Sequence, residues 1–71
     1  MPTHRAEPVL NWTKLQRGDQ VEMYQASKFL TSGTVDTVAL DGTVFWLSPN
    51  GVRRRRLFLH GDGLIVLKRR P

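Results

Sequence analysis

The stretch at residues 43–59, TVFWLSPNGVRRRRLFL, indicates the fold of this chain most clearly. An apolar run opens it, another closes it, and the turn residues Pro49-Asn50-Gly51 lie between them. Asparagine and glycine tolerate the positive φ that a two-residue hairpin turn requires. The stretch is therefore predicted to form a β-hairpin, and its second strand begins with four consecutive arginines.

Short apolar runs and turn residues continue on both sides of this hairpin. The predicted strands outside it cover residues 20–24, 29–40 and 64–67, and the predicted turns cover 25–28, 41–42 and 60–63. Short strands joined by turns at this spacing, with no convincing helix, favour a strongly bent antiparallel sheet or a small all-β barrel.

The valines of the second predicted strand do not follow strict alternation. In Gly33-x-Val35-x-x-Val38, the two valines are three residues apart. They point to the same face of a strand only if one extra residue is inserted between them. The spacing therefore predicts a bulge or sharp bend near Asp36-Thr37, of the kind that curls the sheet of a small barrel.

The two ends of the chain carry weaker patterns. Residues 1–11 contain Pro2 and Pro8 and are predicted to be a flexible N-terminal arm. Asn11 could cap a short helical turn over residues 12–17, or that segment could be an extended lead-in. Trp12 is interpreted as an anchor that packs on the body of the domain. The barrel is then expected over residues 12–68, with a basic C-terminal tail at 69–71.

The order of these signals resembles the small SH3-like barrels, the grouping that includes Tudor, KOW and chromo-type modules. The resemblance is carried by Leu15-x-x-Gly18-Asp19-x-Val21, Gly33-x-Val35-x-x-Val38, Asp41-Gly42 and Val44-Phe45-Trp46-Leu47. It covers residues 15–67 and implies a five-stranded SH3-like antiparallel barrel. Members of this grouping bind DNA, RNA, ribosomes or peptides, or form dimers, so the resemblance does not select one function.

The charge of the chain is concentrated in its last third. The net charge is +5, yet residues 1–50 contain five acidic and four basic side chains, whereas residues 51–71 contain seven basic side chains and Asp62 alone. Such an excess suggests a polyanionic partner. The alternative interpretation is a solvated basic face that keeps the protein soluble.

A two-residue turn at Asn50-Gly51 fixes the predicted faces of the hairpin. It places Leu47 opposite Arg54 and Phe45 opposite Arg56. The face predicted to lie towards the core contains Val44, Trp46, Arg53, Arg55, Leu57 and Leu59. The face predicted to be exposed contains Phe45, Leu47, Arg54, Arg56 and Phe58. A slip of one residue would reverse this assignment.

Nucleic acid, either DNA or RNA, is the partner that this arrangement favours, because arginine binds phosphates and neighbouring rings stack on bases. The candidate nucleic-acid-binding residues are Arg53, Arg54, Arg55, Arg56, Lys68, Arg69, Arg70, Phe45 and Phe58. The alternative is an adaptor or regulator that contacts a protein, or forms a homodimer, through an apolar-aromatic face. In a third interpretation the rings are core and the arginines stack on them.

Other functional classes find little support in the sequence. The chain has no cysteine, and His4 and His60 lack the spacing of a metal site. Neither an activated nucleophile nor a phosphate-binding glycine loop is recognisable. We therefore expect no enzyme, no catalytic residue, no metal and no cofactor. No apolar run approaches the ~20 residues that cross a membrane, and no signal-peptide core is present, so a cytoplasmic protein is expected.

Overall fold

The structure is a computed structural model that describes residues 5–51 and 54–70. The fold is all-β, as predicted, and consists of one antiparallel sheet of six strands that is not closed. The strands are β1 (Arg5–Pro8), β2 (Gln20–Gln25), β3 (Lys28–Val38), β4 (Val44–Pro49), β5 (Arg56–Leu59) and β6 (Leu64–Arg70). Two 3₁₀ helices, η1 (Trp12–Lys14) and η2 (His60–Asp62), lie before β2 and before β6.

The strands follow the order β1-β6-β2-β3-β4-β5 across the sheet. Strands β2 to β5 form an antiparallel meander, and β6 returns to pair with β2. The ends of the chain differ from the predicted arm and tail, because β1 pairs with β6 from Arg5 opposite Arg70 to Pro8 opposite Leu67. Each end of the chain therefore supplies the other with backbone hydrogen-bond partners. The sequence does not predict this pairing, because the short polar strand β1 shows no alternation of apolar residues.

The core lies on one face of the sheet and is closed by the segment before β2. Trp12 is buried and meets Phe45 edge to face, with 4.8 Å between the ring centroids. The predicted role of Trp12 as an anchor is therefore confirmed. The buried core consists of Trp12, Leu15, Val21, Met23, Val35, Phe45, Leu47, Phe58 and Val66.

The capped turn predicted after Asn11 is present as the short helix η1. The Asn11 Oδ1 atom accepts a hydrogen bond of 3.0 Å from the Thr13 amide and one of 2.6 Å from the Thr13 hydroxyl. The helix ends at Lys14, earlier than the predicted residue 17. This single short turn is enough to direct the Trp12 side chain into the core.

The predicted bulge in the long strand is confirmed. Val35 pairs with Leu47 and Thr37 pairs with Trp46, which leaves Asp36 as the extra residue. A second shift in the pairing of β2 with β3 leaves Leu30 unmatched. Bulges increase the local bend and twist of a strand, so β3 can pair with β2 along one half and with β4 along the other.

The hairpin between β2 and β3 has a two-residue turn that uses unusual residues. Gln25 pairs with Lys28, and the turn residues Ala26 and Ser27 have φ values of 51° and 65°. Positive φ at both positions is typical of a type I′ turn, which prefers asparagine and glycine. Residues with a Cβ atom pay a steric cost in this region of backbone space.

Replacing Ala26 with asparagine and Ser27 with glycine should therefore stabilise the protein. Relief of the unfavourable backbone conformations should raise the free energy of unfolding by about 1 kcal/mol. Urea denaturation measures this change. The matched variant Ala26→Val should lower the stability, since a β-branched residue tolerates positive φ poorly. Equal stability of the two variants would contradict the strain argument.

The hairpin between β4 and β5 has a different register from the predicted one. Val44 pairs with Leu59 and Leu47 pairs with Arg56, so β4 ends at Pro49 and β5 begins only at Arg56, too far apart in sequence for a two-residue turn. The pairing is shifted by two residues, and a shift of two leaves each side chain grouped with the same neighbours on its face. The predicted grouping into two faces therefore persists.

The predicted orientation of those two faces is wrong. Phe45, Leu47 and Phe58 lie in the core, whereas Leu57 and Leu59 are 45% and 43% exposed. The physical reason is the position of Trp12, whose ring covers Phe45 and makes that side of the sheet the interior. Phe45 also lies against Phe58, with the ring centroids 5.7 Å apart.

Candidate nucleic-acid interface

The arginine segment, residues 53–56, joins the β4–β5 loop to β5. Arg53 lies outside the described residues. Arg54 and Arg55 belong to the loop, and only Arg56 begins the strand. The sequence predicts a strand opening with all four arginines. The wider hairpin instead places the segment at the transition from loop to strand.

Arg55 is held by two contacts within the protein. Its Nη1 atom lies 2.7 Å from Oδ2 of Asp36, the residue inserted at the bulge of β3. Its guanidinium carbon lies 4.8 Å from the centroid of the Trp46 ring. The half-exposed ion pair neutralises this arginine, while the ring contact holds its guanidinium over Trp46. The Arg55 side chain is therefore fixed in position, and its charge is already paired with that of Asp36.

Arg54 and Arg56 carry the free positive charge of the segment. Both are exposed, and neither forms an ion pair with any residue in the described part of the chain. The Arg56 guanidinium carbon lies 5.1 Å from the centroid of the Phe58 ring, which anchors its stem at the rim of the core. These two side chains are available to an external anion.

Phe45 and Phe58 are not part of the surface. Their side chains are 0% and 5% exposed, so the prediction that they stack on bases is wrong. The aromatic ring on the outer side of the sheet is that of Trp46, which is half-buried beneath Arg55. Side chains alternate between the two faces of a strand, so Trp46 must lie on the outer side once Phe45 is assigned to the core. The sequence alone does not show that Phe45 belongs to the core.

The basic residues of β6 lie elsewhere in the sheet. Lys68 contacts Asp19, with 3.4 Å between Nζ and Oδ2, and Arg69 is exposed. Arg70 ends β6, and its side chain lies outside the described part of the structure. Three strands separate β6 from β5 in the sheet order, so Lys68 and Arg69 do not share a strand pair with the arginine segment.

Two carboxylates near the bulge separate these basic groups. Asp19 and Val35 share a backbone hydrogen bond of 2.8 Å, and Asp36 follows Val35 directly. Asp19 contacts Lys68 and Asp36 contacts Arg55. The acidic residues of the first half of the chain therefore neutralise part of the basic excess of the second half. Among the described side chains of the second half, the basic groups outside these two ion pairs are Arg54, Arg56 and Arg69.

An apolar surface lies beside the arginine segment on the outer side of β4 and β5. We call it the outer apolar face. It consists of Val44, Trp46, Leu57 and Leu59, which alternate with the core residues of the same strands. An unburied apolar face is predicted for this hairpin from its sequence, but on the opposite side of the strands.

A shallow, open cleft of about 340 Å³ lies near the other end of the same hairpin. Leu10, Asn11, Trp12, Asp41, Gly42, Thr43 and His60 line it. His60 donates from Nε2 to the Leu10 carbonyl oxygen at 2.9 Å and packs against the ring of Trp12. His60 therefore fastens the lead-in segment to η2. Among residues 5–51 and 54–70, no acidic or histidine cluster could hold a metal ion.

Asp41 stabilises the turn at one side of this cleft. Its Oδ1 atom accepts hydrogen bonds from the Thr43 hydroxyl at 2.7 Å and from the Thr43 amide at 3.0 Å. These two bonds, the side-chain bond most of all, lower the pKa of Asp41 below its usual value of 3.8. A lowered pKa means that the charged form favours the folded state.

Replacing Asp41 with alanine should therefore lower stability in a pH-dependent way. The carboxylate contributes its full stabilisation above pH 3.8, and that contribution is lost as the pH falls through the lower pKa of the folded state. Urea denaturation of wild type and variant from neutral to acidic pH should show the difference shrinking in acid. Asp41→Asn keeps an acceptor oxygen without a titrating group, so the difference in stability between Asp41→Asn and Asp41→Ala should not depend on pH. A constant deficit for Asp41→Ala would contradict this role.

The part of the chain that the structure describes contains no helix long and apolar enough to cross a membrane. No protein-family model matches this chain, and comparison with curated proteins and with solved structures finds no match either.

Proposed function

We propose that this chain is a nucleic-acid-binding module that captures phosphates with the arginine segment. The observation that carries the proposal is the exposure of Arg54 and Arg56 without ion-pair partners among the described residues. Both belong to the part of the sequence that holds most of the positive charge. A guanidinium group offers a planar set of donors that matches a phosphate.

The surroundings of these arginines favour contact with a backbone and a neighbouring base. Arg56 is anchored against Phe58, and Arg55 lies over Trp46. Preordered guanidinium groups lose less side-chain freedom on binding than free ones do. Trp46, with Arg55 over its ring, offers a stacking surface for an unpaired base. Arg69 adds positive charge at a distance, which contributes to attraction rather than to a shared site.

A titration at two salt concentrations tests the proposal. Labelled single-stranded DNA, single-stranded RNA and duplex DNA are each titrated with the protein, and fluorescence anisotropy reports binding. Phosphate contacts release counterions, so the affinity for duplex DNA should fall by about ten- to fortyfold between 50 and 200 mM salt if two to three contacts form. Binding that ignores salt, or no binding to any of the three, would overturn the proposal.

A protein-contact function is the second candidate, and one observation favours it. Leu57 and Leu59 are exposed on the outer apolar face next to half-buried Val44 and Trp46. A contiguous apolar surface on a small domain often marks a contact with another protein. An adaptor or regulator would use this face, and it remains accessible when the arginine segment binds an anion.

We also infer that the sheet belongs to the SH3-like barrel class. Strands β2 to β5 form a meander, β6 returns to the side of β2, and two bulges bend the sheet. Bulges and strong twist are the devices that curl a short sheet around a small core. The strand β1 is an addition to the five strands of that class, paired on the outer side of β6.

A further inference from the structure

Strand β5 lies at an edge of the sheet and has a free side. Within the described residues it pairs with β4 alone. A sheet edge presents unpaired N–H and C=O groups that can pair with another strand. Proteins usually protect such an edge with charges or with proline, yet β5 contains Leu57, Phe58 and Leu59 after its single arginine.

The alternation of hydrogen-bonded pairs between β4 and β5 shows which backbone groups of β5 point away from β4. The His60 amide donates to the Thr43 carbonyl at 2.8 Å, so this pair is hydrogen-bonded. Hydrogen-bonded and non-hydrogen-bonded pairs alternate in an antiparallel ladder. Phe58 and Arg56 therefore bond to β4, whereas the N–H and C=O groups of Leu57 and Leu59 point to the free edge. The same two leucines expose their side chains on the outer apolar face.

A second copy of the chain fits this edge in a specific register. Two identical edges related by a two-fold axis normal to the sheet pair antiparallel with their outer faces on the same side. Hydrogen bonds between the copies form only where the backbone groups of both edges point outwards. Leu57 or Leu59 of one copy must therefore lie opposite Leu57 or Leu59 of the other. Pairing Leu57 with Leu57 leaves Leu59 opposite Arg55, and pairing Leu59 with Leu59 leaves Leu57 opposite Gly61.

The remaining register places Leu57 of each copy opposite Leu59 of the other. All four leucines then form one cluster on the outer side of a continuous sheet, beside the two copies of Trp46.

We propose that this chain forms a symmetric dimer through β5, with Leu57 paired to Leu59 of the second copy. The inference does not rest on nucleic-acid binding. The resulting sheet has twelve strands and carries an arginine segment at each end of the shared strand pair. The dimer thereby packs the exposed leucines of the two copies against one another and doubles the basic surface.

Disulfide trapping tests the register directly, because the chain contains no cysteine. The variants Leu57→Cys and Leu59→Cys are prepared separately, one with a mass tag, and are oxidised alone and as a mixture. Residues in a hydrogen-bonded pair have Cα atoms about 5.5 Å apart, within disulfide range. Two copies of residue 57 would be about 8 Å apart, outside that range.

The mixture should therefore form the mixed disulfide about tenfold faster than either variant forms its own. Equal rates for mixed and identical pairs would overturn the register. Sedimentation equilibrium of the unmodified protein should show a monomer–dimer equilibrium. A monomer at every concentration would overturn the dimer itself, and would leave the outer apolar face to a different protein.

Discussion

Replacing Arg54 and Arg56 together with glutamate should weaken binding to an oligonucleotide by about a hundredfold at low salt. Two phosphate contacts are lost and two repulsive charges are added. The dependence of log K on log salt should also become shallower, by about 1.8 for duplex DNA, since each contact contributes about 0.9. Fluorescence anisotropy at several salt concentrations measures both quantities.

A control variant distinguishes nucleic-acid binding at a local site from attraction by the overall positive charge of the protein. Lys14→Glu combined with Lys28→Glu changes the net charge by the same amount, and both lysines are exposed away from the arginine segment. We expect only a small loss of affinity for this control. If the two double variants lose equal affinity, the protein attracts nucleic acid through its overall charge, and the proposed site is contradicted.

The arginine variant should remain folded, which makes the binding result interpretable. Arg54 and Arg56 are exposed, and their partners are the solvent and the edge of the Phe58 ring. The loss of one exposed cation–π contact costs about 0.5–1 kcal/mol. Circular dichroism and a urea titration of the variant check that the sheet is intact.

Replacing Gly33 with alanine should have the largest effect on stability. A Cβ atom at this position would lie 2.7 Å from the Cα atom of Pro49 and closer still to the Ser48 carbonyl oxygen. Both neighbours are backbone atoms of β4, so they cannot move aside without separating β3 from β4. We expect a loss of about 3 kcal/mol or more in the free energy of unfolding, at or above the upper end of overpacking costs.

Gly61→Ala is the control for this prediction. No atom lies within 4 Å of the position that its Cβ would occupy, so the substitution should change stability by at most about 0.5 kcal/mol. Urea denaturation compares the two variants, and circular dichroism reports whether Gly33→Ala folds at all. If Gly33→Ala matched Gly61→Ala in stability, the close approach of β3 and β4 would be contradicted.

Local patterns in the sequence predict much of the secondary structure. The turn at Asp41-Gly42 and the bulge at Asp36 follow from turn chemistry and side-chain period, which depend on neighbouring residues alone. The cap at Asn11 is equally local. The pairing of β1 with β6 joins opposite ends of the chain, and no pattern in the short polar sequence of β1 predicts that β6 is its partner.

The candidate site is predictable only in part for a related reason. The concentration of positive charge at residues 53–56 is visible directly in the sequence. The state of each arginine is not, because Asp36 partners Arg55 from nineteen residues away. The availability of Arg54 and Arg56, and the partnered state of Arg55, depend on which acidic side chains the folded sheet brings close.

The sequence by itself determines that this chain is an antiparallel all-β protein with a basic hairpin, because turn residues and alternation act over a few residues. It also determines which side chains of that hairpin share a face, since a shift of two residues preserves the grouping. Only the tertiary structure decides which face is buried. Trp12 lies far from the hairpin in the sequence, and its ring packs on Phe45. That contact places Phe45 and Phe58 inside and leaves Trp46, Leu57 and Leu59 on the surface beside the arginines.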